Sequence, residues 1–158
     1  MKILVPVDGS EPALDAVRYA LHLRLNGLQA QFVLATVQDP TYVYEMMLAP
    51  DAEVFDRVSG AVGTRALQGA EALFEAAGVS FEREIGSGDP AQTVLEIAER
   101  YACELIIMGA RGRGALRSAL LGSVSQAVLQ ASPVPVTIVR KPRQSSGAGD
   151  TEGPPTLS

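Results

Sequence analysis

Four stretches of the chain are apolar at nearly every position: KILVPV (2–7), QFVLATV (31–37), ELIIMG (104–109) and VPVTIV (134–139). A strand with one wet face alternates, whereas continuous apolar runs of this length belong to strands covered on both sides, as in a parallel sheet. A fifth run, VSFEREI (79–85), alternates apolar with charged residues and is placed nearer a sheet edge. Between the runs the period changes to that of a helix. Ser10 precedes Glu11 and Pro12, the composition of an N-cap and first turn, and Leu14, Val17, Leu21 and Leu25 follow at helical spacing. A long helix is expected over about 51–77, with Val54, Val58, Ala61, Leu73, Phe74 and Ala77 inward; Gly60, Gly63 and Gly69 weaken it enough to invite a break. Asp89 and Pro90 open a third helix carried by Val94, Ile97 and Ala98. A fourth runs from Ser123 to about Ala131, ahead of Pro133.

Strand and helix therefore alternate strictly from the first run to the last. That order predicts an open parallel α/β sheet with right-handed crossovers. GSGDP (86–90) reads as a glycine turn with an aspartate cap, serving the fold rather than a ligand. The long Gln38–Pro50 loop, with Tyr42, Tyr44, Met46 and Met47, reads as a lid or as plain surface. The end of the chain, KPRQSSGAGDTEGPPTLS, is rich in Gly, Pro and Ser, so 1–141 form one domain and 142–158 a disordered tail.

Composition narrows the class. The 158 residues suit a single domain with a substantial core; 47% are hydrophobic, 5% aromatic and none is tryptophan, which describes an aliphatic α/β core. A single cysteine, Cys103, excludes an intramolecular disulfide and reads as a buried, inert thiol. MKILVPVDGS is broken by Pro6 and Asp8 too early for a signal peptide, and no window reaches the ~18 apolar residues of a membrane helix. A cytoplasmic protein with no membrane partner is expected. Net charge is −5 but unevenly spread: residues 1–104 carry a balance of −9, while Leu105–Gly149 hold six basic residues and no acid. Acidic overall, the chain is no nucleic-acid binder; a local basic segment points to a small anion.

That segment contains GARGRGALRSALLGS (109–123), with four glycines and three arginines. In open α/β sheets ligands sit beyond the carboxyl ends of the strands, where Gly109 closes its run. Gly109 and Gly112 allow backbone to approach a ligand, and Gly122 and Ser123 open a helix whose free N–H groups and partial positive charge suit phosphate. Ser123 and Ser125 add hydroxyl donors, and Arg111 and Arg113 add charge. Asp8, with Gly9, ends the first strand at the same kind of edge. A carboxylate accepts hydrogen bonds from paired ribose hydroxyls and is wrong for phosphate. Phosphate donors in one loop and a ribose acceptor in another describe a nucleotide. A Walker A loop fails for want of lysine between Lys2 and Lys141, and the first strand runs into DGSEP rather than G-x-G-x-x-G. No G-x-S-x-G elbow exists, and the one histidine, His22, rules against a Ser-His-Asp triad or a multi-histidine metal site.

Gly109-x2-Gly112-x9-Gly122-Ser123 matches the G-x2-G-x9-G-[ST] pattern of the ATP-binding branch of the universal stress protein family. The opening ILVPVDGSEPALDAVRYA, ELIIMGARGRG and the closing GSVSQAVLQASPVPVTIVR resemble that family too, over about 1–141. The resemblance implies an adenine nucleotide α-hydrolase-like fold with a five-stranded sheet of order 3-2-1-4-5 and helices on both faces. It implies a nucleotide site made of Pro6, Val7, Asp8, Val37, Met108, Gly109, Gly112, Gly122, Ser123, Val124 and Ser125, with Asp8 and Gly109 at the ribose, Val37 backbone at the adenine edge and Gly112 to Ser125 at the phosphates. Arg111 and Arg113 join by charge alone. ATP, with Mg2+, is the implied ligand, ADP or AMP the other resident forms, and a homodimer through Val134–Arg140 the implied assembly. A binding or signalling module in the stress response is the expected function, and a slow ATPase or autophosphorylating enzyme, with Ser123 or Ser125 as acceptor, its rival.

Overall fold

The computed structural model describes residues 1–40, 51–111 and 121–141. Its elements follow as β1 (Lys2–Pro6), α1 (Glu11–Leu25), β2 (Gln31–Gln38), α2 (Ala52–Ala76), β3 (Glu82–Ser87), α3 (Pro90–Arg100), β4 (Leu105–Gly109), α4 (Ser123–Ala131) and β5 (Val136–Val139). All pairings are parallel, as the apolar runs predict, and the order is β3-β2-β1-β4-β5, as the family resemblance implies. The alternating strand β3 is an edge strand. The Gln38–Pro50 loop beyond Pro40 and the 142–158 tail lie outside the described residues. Among the described residues no helix is long and apolar enough to cross a membrane.

Both faces of the sheet are covered, which is why β1, β2 and β4 are continuous apolar runs. On one face α1 and α2 pack Ala16, Val17, Ala20, Leu67, Ala70 and Phe74 over Ile3, Val5, Phe32, Leu34 and Ile107. On the other, α3 and α4 pack Val94, Ile97, Ala98 and Val128 over Leu4, Val33, Ala35, Ile106 and Met108. Phe74 meets both Phe32 and Phe81 edge-on, with ring centres 5.2 and 5.6 Å apart.

The helix starts obey their capping residues. The Ser10 hydroxyl accepts the Ala13 N–H, and the Asp89 carboxylate accepts the Gln92 N–H. In the GSGDP turn Gly88 holds φ +140° and donates its N–H to the Gln38 carbonyl, so this glycine serves the fold. Two positions of α2 expected to face inward do not. Val54 and Ala61 of α2 are exposed, as is Leu25 at the end of α1. The inward face of α2 is Gly63, Ala66, Leu67, Ala70 and Phe74, and the helix runs through its glycines without a break. A Cβ on Gly63 would stand 2.8 Å from Ile85 Cγ2, and one on Gly69 would stand 3.2 Å from Leu14 Cδ2. These glycines mark close packing, whose gain outweighs their poor helix propensity.

Candidate functional site

The topological switch point lies between β1 and β4, since the chain leaves β1 toward β2 on one side and reaches β4 on the other. Their register pairs Ile3 with Leu105 and Leu4 with Ile106 and goes no further, although β1 continues to Pro6 and β4 to Gly109. Pro6 supplies a reason. Val7 N–H donates to Ala35 O of β2 at 2.7 Å, so by strand alternation the Pro6 nitrogen faces β4, where proline has no hydrogen to give. The two strand tips are thus neighbours whose hydrogen-bonded ladder has ended.

At the β1 tip, the half-buried Asp8 accepts two hydrogen bonds on one oxygen: Ser10 N–H reaches Oδ1 at 2.9 Å and the Ser10 hydroxyl reaches it at 2.5 Å. Gly9, at φ +83°, makes the reversal that brings Ser10 back to Asp8. Sequence reasoning read Ser10 as a helix cap and missed this second bond. The signal was present in the Asp-x-Ser spacing, since Asp commonly accepts the N–H two residues on.

At the β4 tip, one bond ties the strand to β5 and two tie it to the start of α4. Ala110 N–H donates to Val139 O at 3.0 Å, Gly122 N–H donates to Ala110 O at 2.7 Å, and the Ser125 hydroxyl donates to Gly109 O at 2.8 Å. The chain therefore leaves β4 and re-enters α4 at one point, with the start of α4 held at the strand tip. Its N-cap is Gly122, which has no side chain of its own to close the first turn. The leading amides of Ser123, Val124 and Ser125 keep the donor capacity and partial positive charge of an open helix start. Ser123 is exposed there, Val124 is half-buried against the α3/α4 face, and Arg111 is half-buried just past β4.

Two expected roles change. Ser125 is buried and its hydroxyl proton is spent on Gly109, so that hydroxyl anchors α4 rather than serving as a phosphate donor. Gly109 lacks a side chain for a different reason than ligand approach: an added Cβ would stand 2.6 Å from Pro12 O and 2.8 Å from Pro12 C. The first turn of α1 fills that direction. Val7 and Met108 are core residues on opposite faces of the sheet, and Val37 is half-buried on the α3/α4 face, so what these three can present at the tips is backbone. Gly112 and Arg113 lie outside the described residues. His22 is exposed on α1, beside Tyr19 and Asn26.

The structure thus brings Pro6, Val7, Asp8, Met108, Gly109, Arg111, Gly122, Ser123, Val124 and Ser125 to the carboxyl ends of two adjacent strands, with Val37 near the end of β2, next to β1. An acidic acceptor stands on one tip and a helix start on the other. Among the described residues no group of three or more His, Cys, Asp or Glu side chains could hold a metal ion.

Comparison with known proteins agrees with this architecture. The family model described as "Universal stress protein family" matches residues 1–140. Universal stress protein MJ0531 of Methanocaldococcus jannaschii is 30% identical over 143 residues, spanning 90% of this chain and 84% of that protein. The solved structure of MJ0577, a protein of the same organism, superposes with a TM-score of 0.73 at 28% identity, covering 89% of this chain and 96% of that one. A universal stress protein solved in complex with cAMP superposes with a TM-score of 0.61 at 26% identity, covering 89% of this chain and 96% of that one.

Proposed function

This chain belongs to the universal stress protein family, and from that premise we propose that it binds an adenine nucleotide across the β1 and β4 tips. The observation that carries the reading is the adjacency of those tips, with the Asp8 carboxylate on one and the start of α4, with glycine at its N-cap, on the other. Asp8 and the Gly109 backbone would take the ribose, the Val37 backbone the adenine edge, and Gly112, Gly122 and the amides of Ser123 to Ser125 the phosphates. Arg111 and Arg113 would add charge to that end. The related protein in complex with cAMP supports a ligand that carries adenine, ribose and phosphate.

ATP is the nucleotide this site would take, with ADP and AMP sharing its ribose contacts. Mg2+ would enter on the phosphates, since it keeps most of its waters and needs few carboxylates. The protein would act as a nucleotide-dependent signalling module in the cytoplasm. A homodimer through Val134–Arg140 would pair β5, a sheet edge whose four residues are all half-buried. Ligand can bias such an assembly only by its different affinity for the two states. Slow hydrolysis or autophosphorylation is the alternative, for which Ser125 offers no available hydroxyl, leaving Ser123 as the exposed acceptor.

Mass spectrometry of nucleotide released from heat-denatured protein identifies the resident ligand, and calorimetric titration with ATP, ADP and AMP ranks them. ATP at a hundredfold excess over its dissociation constant should stabilise the protein by about 2.7 kcal/mol. Asp8→Ala should weaken all three nucleotides alike, and Gly112→Asp should abolish binding while the protein still folds. Unchanged ATP affinity in both variants would place the site elsewhere.

A further inference from the structure

We propose that Ser10 is a positioning residue for the nucleotide: its hydroxyl locks the Asp8 carboxylate to the first turn of α1, so that one side chain serves both the helix cap and the ribose acceptor. The inference rests on the nucleotide reading above and adds to it a residue outside the G-x2-G-x9-G-[ST] pattern. A hydroxyl has one proton. Here it goes to Asp8 Oδ1, while a lone pair of the same oxygen accepts the Ala13 N–H at 3.4 Å. With the Ser10 N–H also on Oδ1 at 2.9 Å, two donors from one residue set the direction of the carboxylate. A side chain oriented before the ligand arrives does not lose that freedom on binding, and the saving appears as affinity. The lock is braced from behind. Pro12 O, two residues past Ser10, lies against the backbone of Gly109, so the turn that holds Asp8 cannot move away from the β4 tip without opening a gap.

Ser10 acting as a cap alone is the competing explanation, and three substitutions in the full-length protein separate the two. Ser10→Gly removes the hydroxyl yet remains an acceptable N-cap. Ser10→Asp keeps an acceptor for the Ala13 amide but has no proton for Asp8 and adds a like charge beside it. Ser10→Thr keeps both functions. Calorimetric titration with ADP, alongside urea denaturation of each variant, should show Ser10→Gly and Ser10→Asp binding about ten- to a hundredfold more weakly, the range of a lost hydrogen bond to a charged group. Ser10→Thr should stay within about threefold of wild type, because the bond is retained. ADP affinity that simply follows folding stability across the series, with Ser10→Asp restoring both, would overturn the positioning role. So would ADP binding in Ser10→Gly that equals or exceeds wild type. A wild-type protein that takes up no ADP, ATP or AMP ends the nucleotide reading and this inference together, whereas wild-type binding with an indifferent Ser10→Gly ends this inference alone.

Discussion

Replacing Gly109 by alanine tests how the site is built, because the added methyl meets backbone rather than a movable side chain. The new Cβ would lie 2.6 Å from Pro12 O, 2.8 Å from Pro12 C and 3.2 Å from Ala13 N, against about 3.4 Å for ordinary contact. About 0.8 Å of retreat is therefore required of the first turn of α1. That turn is held by the buried Ala13, Ala16 and Val17 and by the Ser10–Asp8 bonds, so retreat disturbs the core on one side and the carboxylate on the other. Overpacking of this kind costs about 1–3 kcal/mol, and the rigidity of both partners puts Gly109→Ala at the upper end. Set against it is about 0.4–1 kcal/mol gained from a less flexible unfolded chain. Gly60→Ala is the matched control. No atom of the described residues lies within 4 Å of its Cβ position, and it sits inside α2, so alanine should stabilise by about 0.5–1 kcal/mol.

Urea denaturation monitored by circular dichroism measures both variants against wild type with one protocol. The midpoints should move in opposite directions, separated by about 2 kcal/mol or more once converted with a common slope. A protein with a stability of about 5–15 kcal/mol still folds with Gly109→Ala, so nucleotide titration on the same sample is meaningful and should show weaker binding. If Gly109→Ala unfolds at or above the wild-type midpoint, α1 does not press on β4 as described, and the link from Gly109 through Pro12 to Asp8 fails with it.

Ser125→Ala leaves the Gly109 carbonyl without its side-chain donor and should cost about 1–3 kcal/mol by the same urea assay; peptide mass spectrometry after incubation with ATP should find no phosphate on Ser125 in the wild type. The Tyr101 phenol donates to Glu84 Oε2 at 2.6 Å; that bond, then burial and the charges of Glu84 and Glu82, raise its pKa above the ordinary tyrosine value against the pull of Arg100. Its contribution to stability is complete below the ordinary tyrosine pKa and disappears as pH climbs through the higher folded value, so alkaline destabilisation should be shallower in Tyr101→Phe, with one late-titrating tyrosinate lost from the absorbance curve. Burial pushes the Cys103 thiol upward as well, partly offset by Lys2. A thiol reagent should therefore modify Cys103 slowly in the native protein and rapidly in urea.

Much of the architecture was legible because its signals are local. Ser10 and Asp89 announce their helices by side chains that can accept an amide, and the apolar runs announce strands covered on both faces. Asp8 and Gly109 could be assigned to one end of the sheet for the same reason: each closes a run, and parallel runs all end on the same side. What one run cannot show is which neighbour it meets. The adjacency of β1 and β4, on which the site depends, came from the family pattern and was then found in the strand pairing.

Glycine is where sequence reasoning lost its way, and the cause is physical. Loss of Cβ has three uses that look the same in a sequence: a positive φ, an approach by ligand and an approach by another part of the chain. Gly88 shows the first at φ +140°. Gly63 and Gly109 show the third, with Ile85 and Pro12 in the space a methyl would occupy. In α2 the mistake was to count Gly63 as a weak point rather than as a member of the inward stripe, which turned that stripe toward Val54 and Ala61. At Gly109 it was to credit a ligand with a gap that α1 already fills. The second error enlarges the site rather than removing it, because the glycine that lets α1 reach β4 also carries the Ser10–Asp8 pair to the strand tip where Gly122 starts α4.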